Sequence, residues 1–463
     1  MAKPPARGKS RPPRTPLPTL ECDIDHINDD GVGIGRHAGK EVVVAGAFAG
    51  ERVEVTAEHT GQRRIIGRLR KVLSPNPDRV PSPCRHARSC LGCPLIAMDY
   101  AAQLGFKQDR VRQALDGYPD LRKVPVAPAW EASHPLGYRT NAKLVCSRGR
   151  GQVKIGLYRR GSHDPVDIGD CPLHNPLVNR IVAVVREEID RQKIYVYDPA
   201  RRRGLLRYLA VRVAPAANKA MVTFVVAERD FRPVTHLAKW LKKKVPEVVS
   251  VNMNVNASEG NVIFGRETKR IMGVPDLIDQ VGDVRLRISP TSFFQVNNEQ
   301  AARIYRLVRQ WAALGKDETA LDLYCGIGGI ALHLAKDAGR VIGVEVAEEA
   351  VGNARANARL NDTAGCSFFA GDAAGQLEEL AEQIPPGGVA VVNPPRSGCE
   401  PQVLKGLAGL APRTLIYVSC NPRTLARDLD ILGGLGYRTA EVQPVDMFPQ
   451  TGHVESVARL VPA

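Results

Sequence analysis

The spacing of apolar residues changes along the chain and predicts three structured segments. Residues 17–75 contain short alternating stretches separated by turn glycines, which predict a small OB-like β-barrel. Residues 76–285 are rich in strand patterns, such as "LRYLAVRV" and "AMVTFVVAE", and predict an α+β region. From 286 to 463 strand and helix patterns alternate, which predicts a parallel, Rossmann-like α/β domain.

The middle segment contains one long helical pattern. The stretch "YAAQLGFKQDRVRQAL" places apolar residues at helical spacing and predicts a helix near 99–117. We expect this helix to pack on the C-terminal domain. The preceding "SPNPDRVPSPC" is punctuated by proline, which is typical of a linker.

Charge adds a prediction about partners. The chain has 64 Lys and Arg against 49 Asp and Glu, a formal net charge of +15, which favours a polyanionic partner, most simply RNA. The alternative is a basic tail that serves solubility. Residues 1–16, basic and rich in proline, predict a disordered arm. The pattern predicts neither a signal peptide nor a membrane span, so we expect a cytoplasmic protein without membrane partners.

Basic residues cluster in the strand patterns of the middle segment. They are Arg139, Lys143, Arg159, Arg160 and the run Arg201–Arg203. We select Arg139 and Lys143 as candidate substrate-binding residues. A solvated strand face would explain the same charges.

A glycine-rich turn in the C-terminal segment predicts a cofactor site. In "ALDLYCGIGGIALHLA", Asp322 precedes Gly326, Gly328 and Gly329 at a strand-to-helix junction, where the backbone can approach a ligand closely. Glu345 ends the next strand pattern, where a carboxylate can bind ribose hydroxyls, and Asp372 follows the third. This arrangement resembles a class I S-adenosylmethionine methyltransferase; a dinucleotide-binding domain is the alternative.

Four cysteines have the spacing of metal ligands. Cys84, Cys90 and Cys93 lie within ten residues, and Cys171 follows in "GDCPLH". Four thiolates suit structural zinc or a [4Fe-4S] cluster equally well on chemistry alone. Ten cysteines in so long a chain do not indicate a disulfide framework.

Two strand ends in the C-terminal segment carry residues that suit methylation of a carbon atom. One strand pattern ends at Asn393-Pro394-Pro395 and the next at Cys420, and Glu455 follows near the C-terminus. Uracil C5 is a poor nucleophile, but addition of a thiolate to C6 would activate it. We therefore expect a lowered pKa or a nearby base at Cys420, and Glu455, expected to be ionised at neutral pH, as the acceptor of the C5 proton.

Five motifs together resemble the signature set of the RNA uracil-C5 methyltransferases. The motifs are "SFFQVN", "DLYCGIGG", "NPPR", "SCNP" and "HVE". The cysteine spacing is similar to that of the bacterial 23S rRNA members, in which the matching cysteines hold a [4Fe-4S] cluster. Residues 17–75 resemble a TRAM domain, an OB-like RNA-binding module. The resemblance extends from about residue 17 to the end of the chain.

The resemblance implies a role for individual residues. Cys420 would be the nucleophile and Glu455 the base, and Phe293 would lie beside the flipped target nucleotide. The resemblance implies an S-adenosylmethionine site formed by Gln295, Tyr324, Glu345, Asp372 and Asn393. Arg396 stands where amino methyltransferases have an aromatic residue that stacks on the base, so we count it among the substrate-binding candidates.

Two departures and several alternatives accompany this interpretation. Asn393 replaces the commoner aspartate, and Gly329 stands where some relatives have asparagine. We expect a monomeric enzyme that converts a specific uridine of 23S rRNA to 5-methyluridine. A tRNA uracil-C5 methyltransferase is the nearest alternative. An exocyclic-amine methyltransferase, which would need neither Cys420 nor Glu455, and an RNA-binding protein without activity are the others.

Overall fold

A computed structural model describes residues 17–90, 92–149, 151–159, 164–199, 201–260 and 262–463. The predicted arm at 1–16 and the basic residue Arg160 lie outside the described residues. The chain divides after Arg79 into two compact units. Among the described residues, no helix is long and apolar enough to cross a membrane.

The first unit contains a closed five-stranded barrel. Its strands are β1 (Thr19–Ile27), β2 (Gly33–His37), β3 (Lys40–Ala45), β4 (Arg52–Thr60) and β5 (Arg64–Ser74), in the order β1-β2-β3-β5-β4. Alternate residues such as Val42, Val44, Val53 and Val55 fill its core. Gly35 allows a close approach of strands, because a Cβ there would lie 2.1 Å from the carbonyl oxygen of Asp23. The β-rich N-terminal region is therefore confirmed.

The second unit begins with two helices. They are α1 (Ala87–Cys90) and α2 (Tyr100–Asp116), followed by a 3₁₀ turn at Pro119–Leu121. Asp99 caps α2 by accepting a hydrogen bond from the amide of Ala101. Val111 and Leu115 pack against Leu425 and Leu429 of the C-terminal segment.

A seven-stranded sheet follows, covered on one face by two helices. Its elements are β6 (Asn141–Gly149), β7 (Gln152–Tyr158), β8 (Pro165–Asp167), α3 (Pro176–Arg191), β9 (Leu206–Ala214), β10 (Lys219–Val226), α4 (Pro233–Lys244), β11 (Val248–Val255) and β12 (Glu267–Gly273). The strand order is β12-β11-β10-β9-β6-β7-β8, with only β10 and β11 parallel. Apolar residues of α3 and α4, such as Ile181 and Leu237, pack on the sheet residues Leu209 and Val211.

The C-terminal segment forms a second seven-stranded sheet flanked by helices. A hairpin of β13 (Leu277–Val281) and β14 (Val284–Ile288) precedes it. The elements are α5 (Asn298–Ala312), β15 (Thr319–Leu323), α6 (Gly329–Leu334), β16 (Arg340–Glu345), α7 (Glu348–Leu360), β17 (Cys366–Ala370), α8 (Ala373–Leu380), a 3₁₀ turn at Ala381–Gln383, β18 (Val389–Val392), α9 (Pro401–Gly409), β19 (Thr414–Ser419), α10 (Pro422–Gly434), β20 (Tyr437–Val445) and β21 (Glu455–Pro462).

The strand order of this sheet explains where a site forms. The order is β17-β16-β15-β18-β19-β21-β20, and the first five strands are parallel. Their carboxyl ends therefore meet at one edge, where doubly wound sheets bind ligands. The predicted Rossmann-like domain is confirmed, and β21 enters it antiparallel to β19.

Candidate active site

The glycine-rich turn leaves β15 through residues with positive φ. Tyr324, Gly326 and Gly328 have φ of 60°, 56° and 87°. Asp322, just before the turn, is buried and accepts a hydrogen bond from the amide of Ala331 at 2.9 Å. Within the described part of the chain its Oδ1 has no hydrogen-bond partner. Burial raises the pKa of Asp322 to about 8, and Glu345 adds to the effect. An unsatisfied buried oxygen favours a ligand with a hydrogen-bond donor or a positive charge.

The acidic residues predicted to bind the cofactor lie around this turn. The Glu345 carboxylate, at the end of β16, accepts hydrogen bonds from the amides of Gly326 at 3.1 Å and Ala347 at 3.0 Å. Asp372 caps α8 by accepting from the amide of Gly375 at 2.9 Å. Each carboxylate oxygen has two lone pairs, so both groups retain the capacity to bind hydroxyl groups.

Two adjoining cavities bring together the five residues predicted to bind the cofactor. Gln295, Tyr324 and Asn393 line a cavity of about 60 Å³, which Asp322 also lines. Tyr324, Glu345 and Asp372 line a second cavity of about 120 Å³. Tyr324 belongs to both, so the five residues surround one continuous region at the carboxyl edge of the sheet.

Tyr305 packs closely against Gly329. A Cβ at Gly329 would lie 2.9 Å from the hydroxyl oxygen of Tyr305 and 3.1 Å from its Cζ. The buried Tyr305 ring therefore fills the space beside this glycine. Sequence reasoning singled out Gly329 but missed the tyrosine that packs against it.

The register of two strands brings Cys420 to Glu455. Strand β19 ends at Ser419, which pairs with Ser456 of the antiparallel β21. The residue after β19 and the first residue of β21 are therefore direct neighbours across the ladder. Cys420 is half-buried and Glu455 is only 4% exposed. Asn421 caps α10 immediately after the cysteine, which fixes the position of the turn.

Arg396 completes this group. Its side chain lies close enough for its positive charge to lower the pKa of both Cys420 and Glu455. Its own carbonyl oxygen accepts hydrogen bonds from Asn421 Nδ2 at 3.0 Å and Thr424 Oγ1 at 3.3 Å. The sequence suggested only a substrate contact for Arg396. The structure adds its electrostatic effect on the thiol and the carboxyl group.

The electrostatics of this group correct two expectations. Burial raises the pKa of Glu455 to about 8, although Arg396 opposes the shift, so the carboxyl group is mostly protonated at neutral pH without substrate. The expectation of an ionised Glu455 is therefore wrong for the free protein. Burial and then the charge of Glu455 raise the pKa of Cys420, which Arg396 partly offsets. The expected lowered pKa at Cys420 is also wrong. Glu455 lies beside the thiol, but its raised pKa means that it can accept a proton only after losing its own.

A buried ion pair holds the loop that leads to Glu455. Lys107 of α2 and Asp446 are both fully buried and in contact. The Lys107 ammonium also donates to the carbonyl oxygen of Phe448 at 3.0 Å, and the Tyr100 hydroxyl donates to Asp446 at 3.0 Å. The amide of Gln450 donates to Gln103 at 3.0 Å. Sequence reasoning missed this network, and its only signal was a lysine on the apolar side of the helical pattern.

The four spaced cysteines line one large cavity. Cys84, Cys90, Cys93 and Cys171 border a space of about 380 Å³. All ten cysteines of the chain are free thiols. Burial, followed by the charges of neighbouring thiols, raises the pKa of Cys93. No group of three or more His, Cys, Asp or Glu side chains among the described residues is close enough to bind one metal ion.

The predicted substrate-binding residues border the same cavity. Arg139, Lys143 and Phe293 line it, and Phe293 also lines the smaller cofactor cavity. The Phe293 ring is 76% exposed, which is unusual for a large apolar side chain. Arg139 and Arg212 lie close enough to Lys143 to lower its pKa after the larger effect of desolvation. The cavity with the positively charged wall and the smaller cofactor cavity therefore share one lining residue, the exposed Phe293.

Comparisons with known proteins agree with this geometry. Residues 314–384 match a family described as methyltransferase domain, and residues 387–461 match tRNA (Uracil-5-)-methyltransferase. An uncharacterized RNA methyltransferase of Geobacter sulfurreducens is 47% identical over 98% of this chain and 94% of its own length. Another, from Caldanaerobacter subterraneus, is 39% identical over 95% and 97%.

One solved structure resembles the whole chain. The tRNA (uracil-54, C5)-methyltransferase of Pyrococcus abyssi, in complex with S-adenosyl-L-homocysteine, is 29% identical. The similarity covers 95% of this chain and 99% of that one, with a TM-score of 0.76.

Proposed function

Because the chain belongs to the S-adenosylmethionine-dependent RNA uracil-5-methyltransferase family, we propose that it converts a specific uridine of 23S rRNA to 5-methyluridine through a covalent adduct on Cys420. The observation that carries the proposal is the strand register that sets Cys420 beside Glu455, with the charge of Arg396 acting on both. The residues proposed as nucleophile and base thus lie with a cation at the sheet edge that also carries the two cavities around Tyr324.

In the proposed mechanism, Cys420 forms and later breaks one bond to the uracil, and Glu455 accepts one proton. The Cys420 thiolate adds to C6 of the uracil, and the electron pair of the C5–C6 bond becomes available at C5. S-adenosylmethionine, when bound, supplies the methyl group that C5 then accepts. Glu455 takes the proton from C5, the C5–C6 double bond re-forms, and the thiolate leaves C6.

Arg396 favours the charge states that this mechanism needs. Cys420 and Glu455 each favour the protonated form in the free protein because both are desolvated. A positive charge near an acid lowers its pKa. The Arg396 guanidinium therefore favours the thiolate of Cys420 and the carboxylate of Glu455.

The cofactor and substrate contacts are part of the proposal. We assign Gln295, Tyr324, Glu345, Asp372 and Asn393 to S-adenosylmethionine. The exposed Phe293 ring would stack against the flipped target base, while Arg139 and Lys143 would contact phosphates. The buried, unpartnered oxygen of Asp322 supports a ligand in this cavity.

We further propose a [4Fe-4S] cluster on Cys84, Cys90, Cys93 and Cys171. The support is that all four thiols border one cavity and that their spacing resembles that of the cluster-bearing 23S rRNA enzymes. Four thiolates can also bind structural zinc, so metal content decides between the two. Such a cluster would cross-link the segments that line this cavity and so fix the position of Arg139. Anaerobically purified protein should contain about four irons per chain, and Cys90→Ser should lose them. One zinc per chain would contradict this assignment.

The N-terminal barrel and the cellular setting complete the proposal. We propose that the barrel is a TRAM-type RNA-binding module, supported by its closed five-stranded architecture and its resemblance in sequence. A cytoplasmic, monomeric enzyme fits ten cysteines that are all free thiols.

A second substrate has a specific observation in its favour. The similar Pyrococcus abyssi structure is that of a tRNA (uracil-54, C5)-methyltransferase. Both substrates would use the same chemistry, so only the RNA distinguishes them.

Release of tritium from RNA that contains [5-³H]uridine tests the proposed function. We expect release that depends on S-adenosylmethionine from 23S rRNA fragments, and none with Cys420→Ala. Cys366→Ala is the matched control and should retain activity. Cys366 begins the edge strand β17, so it lies at the amino ends of the parallel strands, whereas Cys420 follows the carboxyl end of β19. Release from tRNA alone would move the assignment to tRNA. Methyl incorporation without tritium release would contradict C5 chemistry.

A further inference from the structure

Another pocket, separate from the three cavities described above, lies on the seven-stranded sheet of β6–β12, away from Cys420 and the cofactor cavities. Its volume is about 120 Å³. The residues that line it include three tyrosines, one arginine and one glutamate: Tyr158, Tyr197, Tyr208, Arg207 and Glu259. No part of the proposed mechanism uses this pocket.

Arg207 and two tyrosines form the wall of this pocket. The Arg207 guanidinium lies 4.8 Å from the ring centroid of Tyr197 and 5.6 Å from that of Tyr208. Its Nη1 donates to the carbonyl oxygens of Asn256 at 2.5 Å and Ser258 at 2.7 Å, which fixes the guanidinium plane. Arg207 is only 7% exposed, whereas Tyr197 is half-buried and presents part of its ring to solvent.

Size and charge indicate which ligand would fit. The pocket measures about 120 Å³ and its wall carries aromatic rings, so it offers a stacking surface to one planar ring rather than a cavity that encloses it. Aromatic rings and arginine planes are the surfaces on which unpaired nucleobases stack. Two carbonyl oxygens already engage the Arg207 guanidinium, which disfavours its use as a phosphate ligand.

The pocket lies on the same face of the sheet as the cavity that carries Phe293. Tyr208 pairs with Val145 of β6, and Lys143 lies two residues earlier on that strand, so their side chains share one face. Phe264 links the two sites, because it packs on Val145 and Tyr208 while the Lys143 ammonium lies 5.0 Å from its ring centroid. Two exposed arginines near the pocket form ion pairs, Arg201 with Asp198 and Arg202 with Glu259 of the pocket wall. Basic and aromatic groups therefore continue from the proposed substrate cavity to this pocket.

We propose that the pocket of Tyr197, Arg207 and Tyr208 binds an unpaired nucleobase of the substrate RNA outside the methylated position, and so contributes to the choice of RNA. This proposal rests on the proposed function, since it requires an RNA substrate. The Tyr197 ring supplies the stacking surface.

The test measures RNA affinity by fluorescence anisotropy, with an RNA that the wild-type protein methylates. Stacking is worth about 1–3 kcal/mol per base, so Tyr197→Ala should raise the Kd for RNA by about 5- to 150-fold. Tyr197→Phe keeps the ring and should bind as the wild type does. Tyr195→Ala is the matched control, because Tyr195 is 59% exposed on the same segment and lies outside the pocket.

Two further readouts separate binding from folding and from catalysis. The KM for S-adenosylmethionine and kcat at saturating RNA should stay unchanged in Tyr197→Ala, and so should its circular dichroism. If Tyr197→Ala misfolds, Tyr158→Ala replaces it, with the same expected loss of affinity.

An unchanged Kd for RNA in folded Tyr197→Ala would overturn the pocket assignment, and so would an equal loss of RNA affinity in Tyr195→Ala. Methylation by the wild type would still uphold the proposed function in either case. A wild type that methylates no RNA would instead overturn the proposed function.

Discussion

The buried carboxyl group of Glu455 makes the stability of this protein depend on pH in a specific way. Burial raises its pKa from 4.5 to about 8, so the folded protein holds this proton more tightly than the unfolded chain does. The stabilising contribution of Glu455 is therefore complete below about pH 4.5 and is lost as the pH rises through about 8. Glu455→Gln keeps the shape of the side chain and does not titrate.

The size of the effect follows from the two pKa values. One pKa unit corresponds to 1.36 kcal/mol, so the difference between 4.5 and about 8 corresponds to about 5 kcal/mol. Relative to the wild type, Glu455→Gln should gain about 1.4 kcal/mol in free energy of unfolding per pH unit within this window. Between pH 6 and pH 8 the gain is about 2.3 kcal/mol, because the slope falls to half its value at the folded pKa of about 8.

Urea unfolding monitored by tryptophan fluorescence measures this gain. All three tryptophans, Trp130, Trp240 and Trp311, belong to the second unit, so the signal reports on the unit that contains Glu455. Glu378→Gln, on the exposed side of α8, is the control and should show no such dependence on pH. A constant difference between Glu455→Gln and the wild type from pH 6 to pH 8 would refute the reasoning.

Three other predictions concern the groups around the site. Lys107→Met leaves Asp446 as a buried charge without its ion-pair partner and should lower the free energy of unfolding by about 3–5 kcal/mol. The double variant Lys107→Met, Asp446→Leu should recover most of this stability in urea unfolding, and a loss below about 1 kcal/mol in Lys107→Met would contradict the argument. Gly329→Ala places a Cβ against Tyr305 and should cost about 1–3 kcal/mol, with partial relief by Tyr305→Phe; equal stability of all three proteins would show that the contact is not restrictive. The rate of tritium release from C5 in a single turnover should rise with pH as Glu455 ionises, so a rate independent of pH from 6 to 9 would argue against Glu455 as the base.

The strand and helix patterns predicted the parallel sheet well, because the apolar β15, β16, β18 and β19 alternate with helices. They did not predict that β21 would enter antiparallel to β19. That insertion sets Glu455 beside Cys420, although the two are far apart in the sequence. Motif resemblance identified both residues, but only the register explains why they meet.

Ionisation states were the least predictable part of the site. A glutamate is ionised at neutral pH in water, and the sequence offers no measure of burial at Glu455. Glu455 lies at the start of β21, between β19 and β20, and its burial there removes the carboxyl group from water. The same reasoning applies to Lys107, because its partner Asp446 belongs to a distant loop that only tertiary packing brings near.

Covalent trapping tests the central claim most directly. The protein would be incubated with S-adenosylmethionine and RNA containing 5-fluorouridine, and then separated under denaturing conditions. Fluorine at C5 cannot leave as a proton, so the adduct between Cys420 and C6 should persist after methyl transfer. The account predicts a stable protein–RNA species that is absent with Cys420→Ser and retained with Cys366→Ser. The absence of any such species from protein that methylates unsubstituted RNA would contradict the thiolate mechanism.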